Sequence, residues 1–188
     1  LTELLLDTLK ASAPSRIVCV SSVAHAGMRG IYGEIDFDDL HFDKREYDSG
    51  VAYAQSKLAL VLQALNLARR LEGTGVSAFS VHPGWIRSNL AQGATRFVQN
   101  VLMRPFSRVL GTMSWFEGAQ TSLHCLLDDD APNHSGEYYS QNSILYPNPE
   151  NRPGGWPMPS PNPHAHDTKL AEKLYRRSLE LVGLEGKR

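Results

Sequence analysis

Cysteine is nearly absent: Cys19 and Cys125 are the two in 188 residues. That is too few for a disulfide framework or a cysteine-ligated metal, and it suits a reducing compartment. No run of 18 apolar residues occurs, so no stretch reads as a bilayer-spanning helix. Neither sign of charge dominates: 19 Lys and Arg stand against 20 Asp and Glu, a formal charge of −1. No bulk attraction to nucleic acid or to an anionic membrane follows from that balance. No Gly-x-Gly-x-x-Gly or Gly-x-x-x-Gly-x-Gly is present, so the turn that cradles a dinucleotide pyrophosphate is missing from these residues. The opening Leu1-Thr-Glu-Leu-Leu-Leu-Asp-Thr-Leu-Lys10 has no charged n-region, no small-residue cleavage site and no Met. It does not read as a signal peptide, and the chain is expected to be a piece of a longer protein.

What remains is an ordinary globular composition, 41% hydrophobic and 21% charged, sized for one domain or a large part of one. Leu1, Leu4, Leu5, Leu6 and Leu9 mark one face of a helix. After the turn around Pro14, Ile17-Val-Cys-Val20 is a short apolar run of the kind found in strands buried on both faces. Residues 23–50 are polar and Gly-rich, and their length predicts a functional loop or one with local structure. Asp36, Asp38 and Asp39 within it are expected to be solvated, since no His or Cys stands at ligand spacing. Val51–Leu71 predicts a long helix stopped by Gly73 and Gly75, and Val76–Val81 an alternating strand entering His82-Pro83-Gly84.

Residues 93–112, with Phe97 and Phe106, read as a core-facing helix, with a lid or a membrane-touching element as the alternative. Trp115–Leu127 predicts a helix boxed by Ser114 and Glu117. Ser135–Ser140 predicts a strand, residues 141–166 an irregular segment rich in Pro, and 167–183 a final amphipathic helix. His164-x-His166 has no third ligand and is expected to be a loop feature. Asn133-His-Ser135 matches a glycosylation sequon, with nothing else pointing to secretion.

The chemistry centres on Tyr53 and Lys57. Four residues apart on a helix, they share one face. A neighbouring ammonium favours a phenolate, which lets a phenol exchange protons nearer neutrality. The plainer account is an exposed surface pair, and two other stretches argue against it. Ser21-Ser22 follows a strand, at the end where open α/β sheets bind ligands, although strand-end capping would also suit them. His82-Pro-Gly84 follows the next strand.

The ordered motifs Val18-Cys-Val-Ser-Ser-Val-Ala-His25, Tyr53-Ala-Gln-Ser-Lys57 and Val81-His-Pro-Gly-Trp-Ile-Arg-Ser88 resemble the second half of a short-chain dehydrogenase/reductase. Glu117-Gly-Ala-Gln-Thr-Ser122 and Ser135-Gly-Glu-Tyr-Tyr139 extend the likeness, which is strongest to the retinol dehydrogenase and WW-domain oxidoreductase branch. The resemblance implies an α/β fold, the C-terminal portion of a Rossmann-type doubly wound parallel sheet with flanking helices. Residues 1–188 would then be part of one catalytic domain whose dinucleotide-binding half precedes them. Tyr53 would be the acid/base, Lys57 would tune it and bind the nicotinamide ribose, and Ser22 would hold the substrate carbonyl. Pro83, Gly84, Ile86 and Ser88 would join Tyr53 and Lys57 at the cofactor, NADP or NAD, with NADP slightly favoured.

Ser22 and Tyr53 stand 31 residues apart, a longer separation than in most of the superfamily. The likeness therefore places the 27–50 loop and the 97–106 stretch as walls of an apolar substrate pocket. A small hydrophobic alcohol, aldehyde or ketone is the expected partner, with no nucleic acid. The likeness allows a homodimer through the helices at 1–10 and 51–71. It also implies a cytoplasmic protein, with membrane association through an upstream segment as an alternative. The residues given are expected to be inactive alone and to leave the Ile17–Val20 strand edge unpaired. Two other readings compete: a non-catalytic binding or scaffold protein on the same fold, and a serine hydrolase using Ser22 and His82. The second lacks a Gly-x-Ser-x-Gly elbow.

Overall fold

The computed structural model describes residues 1–27, 32–86, 112–140 and 157–185. In chain order its elements are helix α1 (Thr2–Ala11), strand β1 (Ser15–Val20), a 3-10 turn (Val23–Ala26), α2 (Ser49–Arg70), β2 (Val76–His82), β3 (Trp85–Ile86) and β4 (Thr112–Met113). Then follow α3 (Trp115–Leu127), a 3-10 turn (Ala131–His134), β5 (Tyr138–Ser140), β6 (Pro157–Met158), a 3-10 turn (Pro163–His166) and α4 (Thr168–Leu181). The main sheet runs β1-β2-β5-β6, parallel except for β6, with β3 and β4 forming a separate small pair.

This is a Rossmann-type α/β arrangement with helices on both faces of the sheet. Successive strand residues point to opposite faces, and β2 shows both faces covered. Val76 and Ala78 pack with Leu67 of α2, with Leu71 just past its end and with Leu6 of α1. Phe79 and Val81 pack with Cys125 of α3 and Tyr139 of β5. All seven residues of β2 are buried. The Val-Ser-Ala-Phe-Ser-Val alternation therefore marks no solvent face, and Ser77 and Ser80 lie inside the protein.

The helix α2 is the spine. Asp48 caps it, accepting from Gly50 N and Val51 N at 2.7 and 3.0 Å, which satisfies N–H groups with no partner inside the helix. Leu58, Val61 and Leu62 form its buried stripe, joined by Ile35, Tyr138, Ala165 and Ala171. Each fully buried Leu contributes about 1.5–3 kcal/mol relative to exposure. The helix ends at Leu71, and Gly73 and Gly75 then turn the chain with φ of 76° at each.

Several expectations need correction. Of the apolar face expected on α1, Leu6 is buried and Leu9 partly so, while Leu1, Leu4 and Leu5 are exposed. One stripe alone reaches α2. The strand expected over Ser135–Ser140 is confined to Tyr138–Ser140. Ser135 and Gly136 instead hold the β2 edge, Ser135 Oγ accepting from Ala78 N at 3.0 Å and Gly136 N donating to Ala78 O at 2.7 Å.

The acidic loop is not uniformly solvated either. Asp39 is buried, and its carboxylate accepts from the backbone N–H of Asp43, Lys44 and Arg45 at 2.6, 3.1 and 3.1 Å. Gln55 of α2 fastens the loop to the helix, accepting from Asp36 N at 3.3 Å and donating to Leu40 O at 3.1 Å. Ile35 is buried, and Phe37 and Leu40 pack against the same core.

At the far end of the chain, β6 pairs antiparallel with β5, and Ser160 and Asn162 are buried. The described part of the segment expected to be irregular is therefore anchored. α4 lies on α2 and is tied to α1 through Arg70, which binds Glu3 at 2.8 and 3.1 Å and stacks 3.9 Å over Tyr175. α4 thus covers part of α2, with Ala171, Leu170 and Leu174 in the same core. Among the described residues β1 forms the sheet edge, with Val20 exposed, and no helix is long and apolar enough to cross a membrane.

Candidate active site

Parallel pairing sets Val20 opposite Val81, and Ser21 N donates to Val81 O at 2.7 Å. The ladder ends there, so Ser22 and the Pro83-Gly84 turn leave the sheet at the carboxyl ends of neighbouring strands, while His82 still pairs with Ser140 of β5. α2 is brought to the same place by two bonds of opposite sense. Ser21 Oγ donates to Lys57 O at 2.7 Å, and Lys57 Nζ donates to Val20 O at 3.1 Å. One turn earlier is Tyr53, about one-third exposed, with Lys57 Nζ 5.4 Å from its ring centroid. That is within cation–π range. The ammonium keeps two donors beyond the Val20 bond.

Ser22 has extended backbone, φ −155° and ψ 153°, and its Oγ accepts from Ala24 N at 3.2 Å. A lone pair is used in that cap, which leaves the O–H as a donor. Capping and donation to a substrate are therefore compatible at Ser22. Gly84 has φ of 92°, a left-handed conformation that lets the backbone turn tightly beneath a ligand. Ile86 follows on β3, opposite Met113. Ser88 lies outside the described residues, as does the 97–106 stretch.

An ammonium with spare donors, a phenol and a glycine-bearing turn at the strand ends suit the ribose and nicotinamide end of a dinucleotide. Lys57, Tyr53 and the Pro83–Ile86 backbone would hold it.

His82 is buried, and its Nδ1 has no hydrogen-bond partner. Burial, helped by nearby His25, pushes its pKa down to about 4. Among the described contacts it makes none with Ser22 Oγ, so the serine-hydrolase arrangement is not formed.

Three residues that sequence reasoning passed over support Ser22. His25 Nδ1 meets Ser22 O at 2.5 Å, and His25 Nε2 meets Ser160 Oγ at 2.7 Å. Asn162, fully buried, donates from Nδ2 to His25 O at 2.5 Å and to Gly33 O at 2.8 Å. Its Oδ1 accepts from His164 N at 2.9 Å. His166 Nε2 meets Ser160 O at 2.8 Å, so the His164-x-His166 pair belongs to this anchorage. Ser-Pro-Asn-Pro in a proline-rich stretch carries no pattern that signals burial.

No family model matches the chain. It is 43% identical over 184 residues to retinol dehydrogenase 12 of Homo sapiens, covering 98% of this chain and 51% of that protein. It is 38% identical over 192 residues to retinol dehydrogenase 13 of Homo sapiens, again with 98% and 51% covered. The chain belongs to the short-chain dehydrogenase/reductase superfamily, on its retinol dehydrogenase-like branch. It spans about half the length of the curated relatives it matches. Among solved structures, an uncharacterised protein from Mycobacterium Paratuberculosis superposes with a TM-score of 0.61 at 28% identity, covering 90% of this chain and 50% of that one.

Proposed function

We propose that the protein containing this chain is an oxidoreductase that interconverts an alcohol with an aldehyde or ketone, using NADP or NAD. The carrying observation is the clamp of Ser21 and Val20 onto Lys57, which brings the helix bearing Tyr53 to the strand end bearing Ser22. Lys57, Tyr53 and the Pro83–Ile86 backbone would hold the nicotinamide, whose chemistry would be to supply or accept the hydride. In the reductive direction Ser22 O–H donates a hydrogen bond to the carbonyl oxygen and orients it. Tyr53 O–H gives that oxygen its proton. The Lys57 ammonium stabilises the negative charge left on the phenol oxygen, and in the oxidative direction the same proton returns to Tyr53. A hydrophobic substrate, as the names of the retinol dehydrogenases suggest for those relatives, is the class proposed here.

Tyr53→Phe in the full-length protein tests the assignment. Turnover with an aldehyde panel, followed by nicotinamide absorbance, should fall by about 10²–10⁴-fold, the usual contribution of a positioned acid. Melting temperature should hold. Near-full activity in that variant rules Tyr53 out as the acid/base, and no turnover by the unaltered protein with either cofactor leaves a binding protein on the same fold. Titrating both cofactors against the protein decides between NADP and NAD, and light scattering reads whether two copies associate despite α4.

A further inference from the structure

We propose that Ser160 and Asn162, from the segment between β6 and α4, act with His25 as positioning residues for Ser22, fixing the direction in which its hydroxyl meets the substrate oxygen. The proposal rests on the assignment of Ser22 made above. The hydrogen-bond roles are fixed by elementary chemistry. Ser22 O can only accept, so His25 Nδ1 carries the hydrogen. Burial favours the neutral ring, and Nε2 is then the acceptor of the Ser160 hydroxyl. Ser160 Oγ takes its own incoming bond from Asn162 N at 3.2 Å. Asn162 closes the figure by holding both His25 O and Gly33 O. His25 N also donates to Ser22 O, at 3.2 Å.

Every polar atom in this chain of groups has a defined direction, and each link removes one rotational freedom from the next. Without Ser160, Nε2 loses its partner and the ring is free to tilt within its buried site, where it meets Tyr138 edge-on at 4.8 Å. The Ser22 carbonyl then loses the aligned ring donor and keeps His25 N alone, and the backbone that aims the Ser22 side chain slackens. A misplacement of that kind lowers the rate of the chemical step more than ligand affinity. A segment more than a hundred residues downstream thereby sets the geometry of a strand-end hydroxyl.

The test uses the full-length protein. Ser160→Ala should lower kcat by about tenfold, the scale of one lost oriented hydrogen bond, with cofactor affinity unchanged. Ser160→Thr keeps the hydroxyl and should restore kcat. Leu174→Ala, which loosens the packing of α4 without touching the network, should leave kcat intact at a similar melting temperature. In a Ser22→Ala background, Ser160→Ala should cost less than about twofold, because its effect runs through Ser22. Equal losses in both backgrounds, a matching kcat loss in Leu174→Ala, or failure of Thr to rescue overturns the proposal. Full kcat in Ser160→Ala beside a crippled Ser22→Ala overturns the proposal alone. Full kcat in Ser22→Ala overturns the Ser22 assignment and the proposal with it.

Discussion

Gly118 offers a sharp test of how the small β3–β4 pair is held against the body of the domain. It sits in the first turn of α3, directly after the Ser114–Glu117 capping box, with Gly118 N donating to Ser114 O at 3.0 Å. Its backbone is ordinary helix, so conformational freedom is not what requires glycine there. Space is. A Cβ at Gly118 would lie 2.1 Å from Ile86 Cδ1, 2.5 Å from Ile86 Cγ1 and 3.4 Å from Pro83 O. Carbon atoms pack at about 3.5–4.0 Å, so the Ile86 side chain would have to retreat by roughly 1.5 Å.

Two effects then compete. Alanine gains about 1 kcal/mol of helix propensity over glycine. Overpacking costs about 1–3 kcal/mol. Gly118→Ala should therefore leave the protein at best unchanged and at worst about 2 kcal/mol less stable in urea denaturation. Because Ile86 and Pro83 belong to the proposed cofactor contact, the variant should also bind reduced nicotinamide dinucleotide more weakly, read by cofactor fluorescence. Adding Ile86→Ala removes both clashing carbons, so the double variant should cost less than the sum of the singles. If Gly118→Ala gains the full helix-propensity increment and binds cofactor as before, the contact is slack and the reasoning fails.

Other expectations follow from the same geometry. The folded chain refuses a proton at His82 until about pH 4, whereas an unperturbed imidazole takes one at 6.5. The unfolded state binds that proton first, so stability is full above pH 6.5 and drops by roughly 3 kcal/mol as pH falls to 4. His82→Gln should flatten that part of the profile, and an unchanged slope counts against it. Asp39→Ala should release the Asp43, Lys44 and Arg45 amides, seen as faster hydrogen exchange confined to that loop, and unaltered exchange there refutes its anchoring role. Burial pushes the Cys19 and Cys125 thiols up to about 11 and 12. Both should resist iodoacetamide at pH 8 until denaturant is added, and prompt labelling in the native state contradicts the described packing.

Local signals carried much of the architecture. The helix at Trp115–Leu127 and its capping box were legible because caps and apolar periodicity act within a few residues. The same holds for α2, for β1 and for the motif order that placed Ser22, Tyr53 and Lys57. The sequence by itself thus determined the long helices, the two longest strands, the superfamily and the candidate reacting groups, but not β3, β4, β6 or the extent of β5. Tertiary structure alone decided which polar residues are interior. Asp39 is expected from the sequence to be solvated, and nothing local marks Gln55, His25, Ser160 or Asn162 as interior, yet each is buried with partners. Asn162 meets His25 across 137 residues of chain, a distance at which no spacing rule operates. A polar side chain tolerates burial when its partners arrive from elsewhere in the fold, and that arrival depends on how the layers close.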